Sequence, residues 1–183
     1  KILEELGNKI GIAKILGNTG NIYWEQGDYP KALDFHLRAL KVNEKINYKP
    51  SIALNYGNIG NVYSTEGDYS KALNYHMNAL KIDEQLGNKY GIARHLSNIG
   101  TCYDGLQDYP KALEYYSKAL EIDEGLNNKK GIALRLGGFS SVYSKQRNYI
   151  KALEYDLKSY KLLEEIGDKK GIGWSLRKIG WVY

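Results

Sequence analysis

The chain has 183 residues, of which 43% are hydrophobic and 26% are charged, and its formal net charge is +5. This balance excludes an intrinsically disordered protein, because disordered chains carry too few apolar residues to form a core. No apolar run approaches the roughly 18 residues that a membrane-spanning helix requires, so no membrane partner is expected.

The positive charge is scattered among acidic residues rather than gathered into a basic block, so it permits an acidic partner without requiring one. The single cysteine, Cys102, excludes an internal disulfide and a cysteine-rich metal site, and it is consistent with a cytoplasmic protein. The chain starts at Lys1 without an initiating Met or a signal-like segment, so we expect a piece of a longer protein.

A repeat of forty residues organises the chain. The segment GDYPKAL, which starts at Gly27, returns in altered form at residues 67, 107 and 147, and GNIY, which starts at Gly20, returns at residues 60, 100, 140 and 180. A constant period of this length is typical of solenoid arrays, in which each unit buries its apolar surface against its neighbours. The sequence therefore predicts a single array over residues 1–183.

In chain order, the array is predicted to begin with residues 1–7 as the end of a preceding second helix. Four repeats follow at residues 8–47, 48–87, 88–127 and 128–167, and residues 168–183 form the first helix of a fifth repeat. Each complete repeat reads as a first helix, called helix A below, and a second helix, called helix B, each about 16 residues or roughly 24 Å long.

Glycine and asparagine mark the end of each helix B, because these residues adopt the left-handed backbone most readily. The predicted terminating residues are Gly7, Asn47, Gly87, Asn127 and Gly167. A polar residue that can cap the following helix A comes next in four cases, at Asn8, Asn88, Asn128 and Asp168. In the second repeat, Asp68 is expected to cap helix B.

Small and aromatic residues recur at equivalent positions, which in the second repeat are Gly60, Tyr63, Gly67, Tyr69, Ala72 and Ala79. By this pattern the chain resembles the tetratricopeptide repeat family. Its forty-residue spacing is similar to the long-repeat branch that includes kinesin light chains, Pins-type adaptors and bacterial Rap regulators. The fourth repeat departs from the pattern, with Ser140 in place of Gly and Ser159 in place of the last Ala.

The resemblance implies an all-α fold, a right-handed α-solenoid of antiparallel helix pairs. It also implies that helices A line a concave groove for a peptide or a partner helix, and that the protein is not an enzyme. Gly20, Gly60 and Gly100 are expected to let helix B approach closely, each facing one of the residues Ala32, Ala72 and Ala112.

Helical geometry predicts which residues of helix A face the groove. At 100° per residue, the buried stripe of the second repeat is centred near Ile59, and Asn58 and Asn61 lie on the opposite side. Equivalent residues of stacked helices align into rows. The candidate peptide-binding residues are Lys14, Asn18, Asn21, Leu54, Asn58, Asn61, Arg94, Asn98, Thr101, Trp174 and Trp181.

Two explanations of the asparagines remain open. A primary amide offers both a donor and an acceptor, so a ladder of amides can pair with the backbone of an extended peptide whatever its side chains. Alternatively, an exposed helix face simply needs polar residues, although Glu, Lys or Gln would meet that need at a lower cost in helix propensity. The repetition favours the ladder, which is expected to span repeats one to three.

Trp174 and Trp181 also have two explanations. They can act as aromatic anchors at the end of the groove. Alternatively, the last helix exposes an apolar stripe, and residues 170–183 then mediate self-association. His36 and His76 lie at equivalent positions of successive repeats, where packing explains them better than metal binding. No phosphate-binding loop or catalytic constellation is recognisable, so neither a cofactor nor a metal is expected.

The leading hypothesis is a non-enzymatic scaffold that binds a protein or peptide in its groove. The alternative is a sensory or oligomerising segment of a larger bacterial signalling or regulatory protein. Nucleic acid is not expected as a partner, because helical-repeat RNA binding needs a basic groove with base-stacking residues, whereas these rows are mostly amides and small polar residues.

Overall fold

The computed structural model describes the backbone of residues 2–182 and the side chains of residue 5 and residues 7–177. Within this part of the chain every regular element is a helix, so the predicted all-α fold of paired helices is confirmed. The helices are α1 (Ile2–Glu25), α2 (Tyr29–Lys45), α3 (Lys49–Thr65), α4 (Tyr69–Leu86), α5 (Lys89–Gly105), α6 (Tyr109–Gly125), α7 (Lys129–Lys145), α8 (Tyr149–Glu165) and α9 (Lys169–Val182).

The helices divide into two compact units, residues 1–91 and residues 92–183. In the first unit α1 packs on α2, α2 on α3, and α3 on α4. In the second unit α6 packs on α7, α7 on α8, and α8 on α9. Odd-numbered helices are the predicted helices A, and even-numbered helices are the predicted helices B. None of the helices in the described residues is long and apolar enough to cross a membrane.

Each unit has its own apolar core, and both cores follow the predicted stripe of helix A. In the first unit Ile52 and Ile59 are buried with Leu40, and Tyr56 and Tyr63 pack against them. In the second unit the corresponding core contains Ala112, Tyr116, Phe139 and Val142. Because the stripe turns inward, the opposite side of each helix A is free to carry polar residues.

The ends of helices B have the predicted geometry in the complete repeats. Backbone φ is positive at Asn47 (51°), Gly87 (64°), Asn127 (51°) and Gly167 (68°). Three of the four predicted caps of helix A are also confirmed, whereas Asn8 lies inside helix α1 and does not cap a helix. The amide N–H groups of Gly91, Gly131 and Gly171 donate to the side-chain oxygens of Asn88 at 3.2 Å, Asn128 at 3.2 Å and Asp168 at 3.1 Å.

The first predicted boundary is wrong. Helix α1 runs from Ile2 to Glu25 without a break at Gly7 and Asn8, so residues 2–7 are continuous with helix A of the first repeat. Glycine and asparagine permit a left-handed turn but do not force one. A segment of seven residues offers few contacts to hold such a turn, whereas continuing the helix keeps its backbone hydrogen bonds.

The recurring segment GDYPKAL joins helix A to helix B. Asp68 Oδ1 accepts a hydrogen bond from the Lys71 amide at 3.1 Å, as predicted for a cap, and the Lys71 ammonium lies 2.8 Å from Asp68 Oδ2. The same ammonium stands 5.1 Å from the ring centre of Tyr63 on helix A. Hydrogen bonding between the two side chains lowers the pKa of Asp68 and raises the pKa of Lys71. The first and third repeats repeat this arrangement around Lys31 and Lys111.

Candidate functional site

Asparagines on two neighbouring helices A meet in the first unit. The side-chain amide of Asn58 on α3 donates to Asn21 Oδ1 on α1 at 3.4 Å. Asn18, Asn21 and Asn61 are exposed, and Asn58 is half-buried. We call these four residues the asparagine surface. The structure thus brings Asn21 of α1 and Asn58 of α3 together, two residues of the row that the sequence predicts across the first two repeats.

A pocket of about 230 Å³ lies beside the asparagine surface. It brings together three of the predicted residues and three that were not among the candidates. The lining residues are Asn21, Trp24, Glu25, His36, Asn58 and Asn61. Trp24 and Glu25 follow Asn21 by about one helical turn, so their exposure follows from the same helical geometry. His36 reaches the pocket from helix α2, and a pattern confined to helix A could not reveal it.

The imidazole ring of His36 packs closely against Gly20 of helix α1. His36 is only 1% exposed, and a Cβ atom added at Gly20 would lie 2.7 Å from its Cε1. Burial lowers the pKa of His36, because desolvation disfavours the charged imidazolium. The side chain is therefore neutral at pH 7. Among the lining residues, the carboxylate of Glu25 is then the charged group.

The close approach predicted at the small residues of helix A is present, but the main partner differs from the expected alanine. A Cβ atom at Gly60 would lie 2.8 Å from His76 Cε1, and one at Gly100 would lie 2.9 Å from Tyr116 Cδ1. These rings come from the position four residues after the alanine, one helical turn further along helix B. At Gly100 the alanine backbone also lies close, because the Ala112 carbonyl oxygen would be 3.2 Å from the added Cβ atom.

The remaining predicted residues of the first unit are also at the surface. Lys14 on α1 is exposed, and Leu54 on α3 is 45% exposed. Lys14 lies at the middle of α1 and Leu54 in the N-terminal half of α3, whereas the pocket lies toward the C-terminal ends of both helices. They flank the asparagine surface and do not line the pocket.

The corresponding face of the second unit carries different chemistry. Arg94 is exposed, with Nη2 3.4 Å from His95 Nε2, and Asn98 is half-buried. Thr101 Oγ1 lies 3.1 Å from the Tyr116 hydroxyl, which replaces the amide-to-amide contact of the first unit. Burial raises the pKa of Tyr116 to about 12, so its hydroxyl keeps its proton at neutral pH.

A buried acid that was not predicted lies on the same face of the second unit. Asp104 is 5% exposed, its Oδ1 lies 2.9 Å from Lys145 Nζ, and its Oδ2 accepts a hydrogen bond from Ser141 Oγ at 3.1 Å. The three residues come from α5 and α7. This linkage ties two neighbouring helices A by charge, where the first unit uses amides.

Trp174 is 49% exposed, and its Cζ3 lies 3.7 Å from the position that a Cβ atom at Gly137 would take. Trp181 lies outside the residues whose side chains are described, as do the other residues of 178–183. The anchoring role of the two tryptophans therefore stays a prediction. Self-association through residues 170–183 stays one as well.

The comparison with protein families decides the class of the chain. Two tetratricopeptide repeat models match residues 12–47 and residues 51–125, which together make up more than half of the sequence. The chain belongs to the tetratricopeptide repeat family. Tetratricopeptide repeats form protein-interaction scaffolds and are not an enzyme family, which agrees with the expected non-enzymatic character. No protein of curated annotation gives a significant sequence match.

Solved structures share this tetratricopeptide repeat fold. Aspartyl phosphate phosphatase F from Bacillus subtilis is 18% identical over 91% of this chain and 44% of its own, with a TM-score of 0.82. A Rap protein complexed with competence and sporulation factor is 23% identical over 91% of this chain and 46% of its own, with a TM-score of 0.83. This chain thus spans less than half the length of either protein.

A third similar structure is a signal transduction ATPase with numerous domains from Pyrococcus horikoshii, which has a tetratricopeptide repeat sensor. It is 19% identical over 96% of this chain and 27% of its own, with a TM-score of 0.80. At these identities the likeness shows the tetratricopeptide repeat fold. What the chain binds must be argued from its own residues.

Buried polar pairs join consecutive tetratricopeptide repeats inside each unit, and the sequence reasoning missed them. In the first unit Asn43 Nδ2 donates to Asn55 Oδ1 at 2.8 Å. In the second unit, at the equivalent positions, Arg135 Nε donates to Asp123 Oδ2 at 2.9 Å. A partial signal was available in the repeat alignment, where these two positions hold Asn43 and Asn55, then Asp83 and His95, and then Asp123 and Arg135.

Groups of three or more His, Cys, Asp or Glu side chains able to hold a metal ion are not found among the described residues. His36 is accounted for by its packing against Gly20. The asparagine surface and its pocket offer hydrogen bonding by amides, the indole of Trp24 and the carboxylate of Glu25.

Proposed function

We propose that the asparagine surface binds an extended peptide segment of a partner protein, in the groove that helices A line. The observation that carries the proposal is the contact of Asn58 with Asn21 at 3.4 Å, which places donor and acceptor groups of two repeats side by side. A peptide backbone presents N–H and C=O groups along its length, and primary amides can pair with both. Because these backbone groups hardly depend on the side chains, binding through them restricts the partner's sequence at few positions.

The geometry of the asparagine contact supports this use. A donor-to-acceptor distance of 3.4 Å is beyond the usual range of 2.7 to 3.2 Å, so the hydrogen bond between the two amides is weak. Exchanging it for bonds to a peptide backbone therefore costs little. Exposure of Asn18, Asn21 and Asn61 leaves these amides accessible to a ligand.

The comparisons agree with partner binding by this fold. One of the similar structures is a Rap protein complexed with competence and sporulation factor. That likeness supports a scaffold that holds a partner, and the choice of the asparagine surface comes from the residues of this chain.

The proposal is tested with a library of random twelve-residue peptides displayed on phage and selected on the immobilised chain. Enriched peptides are synthesised, and their affinities are measured by fluorescence anisotropy. Exchanging Asn58 and Asn61 together for alanine should weaken binding about tenfold or more, since two hydrogen bonds of about 1 kcal/mol each are lost. The fold should be retained, because neither residue belongs to the apolar core.

A matched control uses exposed asparagines of helix B. Asn74 and Asn78 lie on α4, and exchanging both for alanine changes the same chemistry away from the asparagine surface. This control should bind the selected peptides as the parent chain does. Equal loss in both double variants, or no loss in either, would count against the proposal.

A second candidate function is a sensory segment within a larger signalling protein. It is favoured by the similar signal transduction ATPase, of which this chain covers 27%. The same surface would then hold a segment of the protein's own chain. The complete reading frame tests this candidate: a kinase, cyclase or DNA-binding domain in the same polypeptide supports it, and a reading frame with only tetratricopeptide repeats contradicts it.

A further inference from the structure

We infer that the pocket lined by Trp24, Glu25 and His36 takes one positively charged side chain of the bound peptide, with arginine favoured over lysine. The inference rests on the proposed function, because it assigns a side-chain pocket to the peptide whose backbone the asparagine surface holds. It adds a specificity that amide pairing alone cannot supply.

The charge of the pocket selects a cation. Glu25 contributes a carboxylate, and the lining residues include no lysine or arginine. His36 carries no positive charge at neutral pH, because burial disfavours its imidazolium form. An anionic side chain would face the Glu25 carboxylate with no compensating cation in the lining. The local electrostatics therefore oppose an acidic residue and favour a basic one.

The indole of Trp24 provides a second contribution. Trp24 is 42% exposed, although a large aromatic side chain gains free energy from burial. A cation placed over an indole face is attracted by the negative potential of the ring. The equivalent residues in the second repeat are Ser64 and Thr65, so the pairing of an indole with a carboxylate belongs to the first repeat.

The size and the remaining lining residues fit a single side chain. A volume of about 230 Å³ is smaller than the roughly 300 to 1,000 Å³ of pockets that hold cofactors or drug-sized ligands. The amide oxygens of Asn21, Asn58 and Asn61 are acceptors for the N–H groups of a basic side chain. A guanidinium is planar, stacks on aromatic rings and donates in a fork to a carboxylate, which favours arginine.

The test compares two small probes by NMR. N-acetyl-arginine N-methylamide carries the cation, and N-acetyl-citrulline N-methylamide has nearly the same shape without the charge. The probes are titrated into the full chain labelled with nitrogen-15, and the indole N–H signal of Trp24 is followed. That signal is identified by its loss in the variant Trp24→Phe.

The arginine probe should shift the Trp24 signal in a saturable manner, and the citrulline probe should bind roughly tenfold more weakly, as expected when a charge-assisted hydrogen bond is lost. Glu25→Gln should remove this difference. Glu66→Gln should keep it, because Glu66 is an exposed acid of the same unit that does not line the pocket. Equal shifts from both probes in the parent chain would overturn the inference, as would an unchanged preference in Glu25→Gln.

The outcome separates this inference from the proposed function. A probe with a single residue reports on the pocket, whereas the selected peptides report on backbone binding along the asparagine surface. If peptides bind and depend on Asn58 and Asn61 but the arginine probe shows no preference, the pocket assignment fails alone. If the arginine probe binds and no peptide is selected, the proposed function fails and the cation pocket stands.

Discussion

Arg135 Nε donates a hydrogen bond to Asp123 Oδ2 at 2.9 Å, and both side chains are almost completely buried. The two residues come from α6 and α7, so the contact joins the third repeat to the fourth. The same two positions at the first junction are Asn43 and Asn55, which pair at 2.8 Å. Equivalent positions thus hold a neutral amide pair at the first junction and an ion pair at the third. In each pair the two side chains complement one another.

The buried ion pair gives the first prediction. Replacing Arg135 by methionine should lower the free energy of unfolding by about 3 to 5 kcal/mol, because it leaves the Asp123 carboxylate buried without its cation. Denaturant unfolding followed by circular dichroism measures this loss. The double change D123N/R135N copies the first junction and should be less destabilising than R135M. A double variant that is less stable than R135M would contradict this explanation.

A second prediction concerns the glycines of helix A. Gly60→Ala should destabilise the chain by about 1 to 3 kcal/mol, because the added Cβ would lie 2.8 Å from the buried His76 ring. Gly11→Ala is the control, since apart from the local backbone of α1 no atom of the described residues lies within 4 Å of a Cβ at that position. Alanine should stabilise the exposed helix there by roughly 0.5 to 1 kcal/mol. Thermal unfolding of both variants checks the opposite signs.

The lowered pKa of His36 leads us to expect that the free energy of unfolding depends on pH. Its pKa in the folded chain lies below the ordinary value of about 6.5, so the unfolded chain binds a proton more readily. The contribution of His36 to the free energy of unfolding is fully present above pH 6.5 and is lost progressively as the pH falls below it. Unfolding at pH 7.5 and pH 5.5 measures this decrease.

The variant His36→Tyr isolates the effect of that residue. Tyrosine already occupies the equivalent position at Tyr116, where it packs against Gly100 as His36 packs against Gly20. The decrease in stability between pH 7.5 and pH 5.5 should therefore be smaller in H36Y than in the parent chain. An identical decrease in both proteins would show that His36 does not contribute to it.

Tyr116 should make the free energy of unfolding decrease as the pH rises, which is the opposite of the dependence expected from His36. Burial raises its pKa to about 12, whereas an unfolded tyrosine ionises near 10, so the unfolded chain loses its proton first. Between pH 9 and pH 11 this difference should lower the free energy of unfolding by roughly 1 kcal/mol. The variant Tyr116→Phe should lose less over that range by about this amount. Denaturant unfolding at the two pH values provides the measurement, and parallel losses would contradict it.

The sequence predicted the parts of the fold that local chemistry determines. Asn127 and Gly167 end helices because they adopt positive φ, and Asp68 caps one because its carboxylate accepts an amide hydrogen bond. Gln107 and Arg147 also take positive φ, at 63° and 60°. Their side chains give no hint of this, and only alignment with Gly27 and Gly67 places them in the same turn.

Contacts between helices were harder to predict. The outward position of Asn21 and Asn58 follows from helical periodicity, and their contact follows once the helices stack. Asp123, by contrast, belongs to an acidic segment that recurs with the repeat, and the sequence of its own helix does not show that it pairs with Arg135 of the following helix. The pocket was also not predicted, because one of its lining residues, His36, comes from helix B. Periodicity within one helix cannot show which side chains a neighbouring helix brings.

The central claim is that a peptide lies on the asparagine surface, and side-chain amide NMR tests it most directly. The Nδ2 signals of Asn21, Asn58 and Asn61 are assigned by single substitutions and followed while a selected peptide is titrated into the labelled chain. The account predicts that these three signals shift together and saturate, while those of Asn74 and Asn78 on α4 stay in place. Shifts confined to α4 and other helices B, with the asparagine surface unchanged, would contradict it.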